Sequence, residues 1–142
     1  MPSDTLQIRP YHEDDEAAVV ALWAEVFPGD PSRNEPRAVI RRKLGVQREL
    51  FLVGELNGDL VGTVIGGFDG YRGWVYHLAV LPRCRRRGFG RDLMHEVEAR
   101  LKALGCPKLN LQVRSSNAEV IAFYERLGYA IEDRASLGKV LG

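Results

Sequence analysis

Five arginines and two glycines crowd positions 83–91, which read Arg83-Cys84-Arg85-Arg86-Arg87-Gly88-Phe89-Gly90-Arg91. These residue types suit the capture of a phosphorylated ligand. Glycine lets the main chain come close to an anion, and guanidinium groups supply permanently charged, forked donors. The flanking elements decide whether main-chain amides can converge there too. Residues 74–81 form an apolar run, stopped by Pro82, that reads as a buried strand. After the turn, Leu93, Met94, Val97, Leu101 and Leu104 recur at helical spacing until Gly105 and Pro107 end the pattern. A helix opening on such a turn presents first-turn amides without internal partners, at the positive end of the macrodipole. The expected ligand is a diphosphate.

Composition narrows the class. The chain has 142 residues, 45% of them hydrophobic and 27% charged, as expected for one globular domain spanning 1–142. The net charge of +1 argues against a general nucleic-acid binder, because the basic excess is confined to one turn and acid gathers elsewhere, as at Glu13-Asp14-Asp15-Glu16. The two cysteines, Cys84 and Cys106, make neither a disulfide framework nor a metal-ligand pattern, so reduced thiols and no metal are expected. The start, Met1-Pro2-Ser3-Asp4, lacks a basic and apolar leader, and no apolar run is long enough to cross a membrane. A cytoplasmic protein with no membrane or nucleic-acid partner is the expectation.

The elements that position the turn follow from periodicity. Residues 6–9 alternate as a short strand. A helix with acid in its first turn follows, with Val19, Val20, Trp23, Val26 and Phe27 on one face, and the segment Pro28-Gly29-Asp30-Pro31 breaks it. A second helix begins at Pro36 and turns Val39, Ile40 and Leu44 inward. Residues 50–53 and 60–65 read as strands around Asn57-Gly58, a tight-hairpin signal, and residues 66–73 as a glycine-rich connection into the strand at 74. Leu109, Leu111 and Val113 alternate as a further strand. Ser116 and Glu119 resemble a capping box ahead of a helix carrying Val120, Ile121, Phe123, Tyr124 and Leu127, and extended pieces are expected at 129–133 and 136–141. The order is β-α-α-β-β-β-α-β-α-β. The fold class is α/β, a mixed central sheet flanked by helices on both faces, with the ligand at the carboxyl end of the strand feeding the turn.

Two familiar diphosphate motifs fail. A dinucleotide fingerprint needs glycine where Leu93 stands, and no Gly-Lys-Ser/Thr ends the turn. What fits is Arg85-x-x-Gly88-x-Gly90. With the element order and the downstream stretch from Asn117 through Tyr124 to Gly128-Tyr129, it resembles the acetyl-CoA signature of the GNAT N-acetyltransferases over nearly the whole chain. The segments at 66–70, 105–108 and 136–139 look like those of a small, single-domain bacterial subgroup.

The resemblance implies that the stretch Arg85, Arg86, Arg87, Gly88, Phe89, Gly90 and Arg91 holds the pyrophosphate of acetyl-CoA as co-substrate. It implies a bulged strand at Leu78, Ala79 and Val80 whose freed main-chain groups meet pantetheine, with an amide near Leu78 as oxyanion donor. Tyr124 would be the acid that protonates the departing thiolate, the alternative being a core tyrosine. Asn117 would touch the coenzyme or cap its helix. No glutamate stands between Glu55 and Glu96, so the family's common base has no counterpart. His77 is the remaining candidate for an amine that must lose a proton, against a packed core histidine; Tyr76 and Asp69 are weaker candidates. Trp23, Phe27 and the loop 28–36 fall where the family shapes its acceptor pocket. The implied activity is direct acetyl transfer to a primary amine, of a small molecule or a protein amino terminus. The alternative is an acyl-CoA-binding module without turnover. A homodimer joined through last strands is in keeping with the family.

Overall fold

The computed structural model describes residues 4–142; the expectation drawn from the start of the chain falls on residues 1–3, which lie outside the described residues. The chain packs as two compact units, Met1–Leu111 and Gln112–Gly142. The first holds β1 (Gln7–Pro10), α1 (Glu16–Val26), α2 (Pro36–Leu44), β2 (Phe51–Leu56), β3 (Asp59–Phe68), β4 (Gly73–Val80), α3 (Phe89–Ala103) and β5 (Leu109–Asn110). The second holds α4 (Ala118–Arg126). The strands form one five-stranded sheet in the order β1-β2-β3-β4-β5. Pairings are antiparallel through β4, and β4 runs parallel to β5.

Alternation along β3 sorts the helices onto opposite faces. A Cβ on Gly62 or Gly66 would lie 2.9 Å from Leu93 Cδ1 or 2.6 Å from Val97 Cγ2, so these positions meet α3 and let it lie close on the sheet. Thr63, between them in register, faces α1, where its hydroxyl accepts a hydrogen bond from Trp23 Nε1 at 2.9 Å. The core is therefore two layers. Leu93, Met94 and Val97 are fully buried on one side, Val19 and Trp23 on the other, with β2 and β3 between them. Arg9 of β1 holds the start of α1 through paired 2.8 Å bonds to both Asp15 oxygens.

The hairpin forms at Asn57-Gly58 with both residues at positive φ (53° and 88°), the geometry a two-residue turn requires. Other boundaries differ from the sequence expectation. The acid at Glu13–Asp15 forms a 3-10 turn and α1 starts at Glu16. Gly66, Gly67 and Phe68 belong to β3 instead of a loop. The Gln47 side chain pairs with both main-chain groups of Phe68 (3.0 and 2.8 Å), and Lys43 Nζ donates to the Gly66 carbonyl at 2.6 Å, so the end of α2 and the turn after it secure this part of the strand. The strand read through Val113 contains Leu109 and Asn110 alone. The closing strands expected at 129–133 and 136–141 are not formed among the described residues, and Ile131 and Leu137 are exposed. Alternating apolar residues specify which face of a strand would be buried; they do not by themselves specify a pairing partner.

Candidate active site

The register of β3 against β4 breaks partway along β4. Thr63 pairs with Ala79 and Ile65 with Tyr76, so β4 carries one residue more than its partner. His77 absorbs it at φ 51°, a left-handed conformation that costs a side-chain-bearing residue about 1–2 kcal/mol. The Thr63 hydroxyl donates to the His77 carbonyl at 2.9 Å. On its other side β4 meets β5 at Gly73 and Trp74 alone among the described residues, so the edge from Tyr76 onward is open. Leu81 N–H donates to Val61 O at 2.9 Å. Antiparallel alternation then turns the main-chain groups of Ala79 toward β3 and those of Val80 toward the open edge.

Beyond Leu81 the chain makes the 3-10 turn Pro82–Cys84 and enters the arginine segment. The Arg85 amide is engaged by the Pro82 carbonyl at 3.3 Å. Arg86 and Gly88 take positive φ (63° and 81°), and α3 begins at Phe89 with no side chain capping it. Its first internal bond is Asp92 N–H to Gly88 O at 3.0 Å, so the amides of Phe89, Gly90 and Arg91 precede the helical ladder. A Cβ on Gly88 would stand 2.7 Å from Arg91 Nη2, which places the guanidinium beside the turn. Arg87 lies over the Phe89 ring, 5.0 Å from its centroid. Arg83, Arg85 and Arg86 are exposed and carry no ion pair among the described residues. Amides and guanidinium groups thus gather at one helix start, directly after the open strand.

On the α1 face a cavity of about 350 Å³ lies between α1, the loop after it and β4, walled by Trp23, Phe27, Pro28, Pro31, Pro36 and His77. The imidazole packs 4.5 Å from the Trp23 ring and meets Phe27 edge-on at 5.3 Å. His77 is half-buried in this wall, neither sealed in the core nor on the open surface. Burial pushes its pKa below the ordinary 6.5, with Asp30 opposing, so the ring is neutral at pH 7 and has a lone pair for a proton. Glu35 lines the same cavity, but its two oxygens accept from the Arg37 and Ala38 amides at 3.0 Å and cap α2. Of the weaker candidates, Tyr76 is 53% exposed, and Asp69 Oδ1 accepts from the Tyr71 and Arg72 amides in the turn before β4.

In the second unit Tyr124 is buried on α4, edge-on to Phe123 at 5.0 Å and Tyr129 at 5.6 Å. Burial raises its pKa to about 12, so the phenol keeps its proton at neutral pH. The cap of α4 is Asn117, not Ser116: its side-chain oxygen accepts from the Val120 amide at 3.3 Å. Among the described residues no group of three or more His, Cys, Asp or Glu could hold a metal, and no helix is long and apolar enough to cross a membrane.

Thr63 is the residue that sequence reading missed. Its only signal is a hydroxyl inside the apolar run Val61-Gly62-Thr63-Val64-Ile65, at a position that proves fully buried.

A mixed sheet whose strand β4 bulges, is unpaired along part of one edge and leads to an uncapped helix start, with a cavity on its other face, defines an α/β domain. The chain belongs to the GNAT acetyltransferase family: the model of the "Acetyltransferase (GNAT) family" matches residues 16–129. A curated "Acetyltransferase" of Yersinia pestis (strain Pestoides F) is 46% identical over 136 residues, 96% of each chain. Among solved structures, AAC(6')-Iy in complex with the bisubstrate analogue CoA-S-monomethyl-acetylneamine superposes with a TM-score of 0.81 at 16% identity, covering 97% of this chain and 99% of that one. Ard1 from Thermoplasma volcanium gives 0.80 at 23% identity over 89% and 84%. At these identities the two structures speak for the fold.

Proposed function

We propose that the protein is an acetyl-CoA-dependent N-acetyltransferase that moves the acetyl group directly to a primary amine. The observation carrying this reading is β4 itself, bulged against β3, open along its other edge and followed through one turn by the uncapped start of α3, with His77 of the bulge lining a cavity. The amides of Phe89, Gly90 and Arg91, with the Gly88 turn and the arginines around it, receive the pyrophosphate. The main chain of Leu78 and Val80 receives the pantetheine arm, Val80 through its outward groups, while Ala79 stays paired to β3, and an amide near Leu78 stabilises the oxyanion.

The acceptor amine enters the cavity and gives its proton to His77 as its nitrogen attacks the thioester carbonyl. Collapse of the tetrahedral intermediate breaks the carbon–sulfur bond, and Tyr124, protonated at neutral pH, serves as the acid for the thiolate. The aromatic and proline walls suit an amine carried on an apolar body. With Glu35 committed to the α2 cap, Asp30 is left as the carboxylate for a second cationic group.

Acetyl-CoA turnover, followed as free thiol released against a panel of small amines and amino-terminal peptides, tests the proposal. Amine-dependent thiol release that falls sharply in His77→Gln supports it. Tight CoA binding with no acceptor-dependent release across the panel would overturn catalysis and leave a binding module.

A further inference from the structure

The hydrogen bonds around Thr63 have only one polarity. The Trp23 indole nitrogen can only donate and the His77 carbonyl can only accept, so the single hydroxyl must accept from the first and give its proton to the second. Both bonds are 2.9 Å long, and the Thr63 side chain is fully buried. The two groups it joins belong to different parts of the site. Trp23 forms the floor of the acceptor cavity on α1, whereas His77 is the extra residue of the β4 bulge. The indole and imidazole rings also pack at 4.5 Å, so the hydroxyl closes a loop of contacts around the ring of His77.

We propose that Thr63 is a positioning residue for acetyl transfer, its hydroxyl locking the left-handed bulge at His77 to the Trp23 wall so that the imidazole faces the acceptor. This rests on the reading of His77 as the base. The strained residue needs surroundings that over-determine it, and a buried, directional bond to its own carbonyl supplies that constraint. Valine at this position keeps the shape and removes the hydroxyl, leaving a buried indole N–H unpaired and the bulge carbonyl without this donor. The ring then gains freedom to leave its packed position. The charged groups that face it are Asp30 in the loop after α1 and, along the same cavity wall, Glu35 at the start of α2; neither is altered by the substitution.

The test compares Thr63→Val with Thr63→Ser, which restores the hydroxyl. Thr63→Val should lower kcat/KM for the acceptor about tenfold or more, with the dissociation constant for CoA held within twofold, and Thr63→Ser should recover most of the loss. Independently of turnover, the titration of the His77 ring protons by NMR should move up toward the ordinary histidine value in Thr63→Val, as the loosened ring is hydrated, and return in Thr63→Ser. If Thr63→Val does not fold, Thr63→Ala carries the same comparison. An unmoved His77 titration in the hydroxyl-free variant, or equal loss in the valine and serine variants, overturns the proposal. A moved titration in a protein whose His77→Gln variant turns over normally upholds the positioning and removes only the base assignment.

Discussion

Replacing Gly88 by alanine separates the cradle from general stability. Gly88 sits at φ 81°, so an added Cβ carries the left-handed penalty of about 1–2 kcal/mol. For a chain of this size that lowers Tm by roughly 3–6 °C. The same Cβ would stand 2.7 Å from Arg91 Nη2, so the guanidinium must retreat from the turn. Losing one charge-assisted bond to phosphate is worth about 1.5–3 kcal/mol, or roughly 10- to 100-fold in the dissociation constant for CoA. Gly105 is the control. It has φ 88° just past α3, and a Cβ there meets nothing within 4 Å, so Gly105→Ala carries a similar backbone penalty without touching the cradle. Calorimetric titration with CoA, alongside thermal melts, should give two variants of similar Tm, of which only Gly88→Ala binds CoA weakly. A Gly88→Ala protein binding CoA within twofold of the parent, or a Gly105→Ala protein weakened equally, would refute the placement of the diphosphate.

His77 links activity and stability to pH with a definite sign. Its folded pKa is depressed, so the unfolded chain binds the proton more readily: this residue weakens the fold as pH falls from 6.5 toward the folded value and has no such effect above 6.5. The acid limb of kcat/KM should accordingly lie below 6.5, and His77→Gln should abolish that limb and cost about 10²–10⁴ in rate, read from steady-state pH profiles. Tyr124→Phe should reduce kcat more than CoA affinity. With the phenol held protonated up to about 12, the parent should show no basic limb from this group between pH 7 and 10; undiminished kcat in the variant would take Tyr124 out of the mechanism. Gly66→Ala forces a Cβ to 2.6 Å from Val97 Cγ2 and should cost about 1–3 kcal/mol by denaturant titration. Paired with Val97→Ala, the losses should be less than additive, since each change makes room for the other.

Much of this protein is written in local spacing. The helical recurrence of Leu93, Met94, Val97 and Leu101, the Asn57-Gly58 hairpin and the glycine-bearing basic turn all depend on neighbours a few residues away, and the chain alone determined them. Tertiary structure decided what depends on two distant segments at once. The bulge at His77 is a mismatch between β3 and β4, invisible in either strand by itself. The open edge of β4 exists because β5 stops at Asn110, although the alternation in sequence continues to Val113. Whether His77 packs in the core or lines a cavity is open from its apolar surroundings; the structure both packs it on the rings of Trp23 and Phe27 and places it in a cavity wall. Periodicity says which way a side chain points; only the packing of remote segments says what it will meet there.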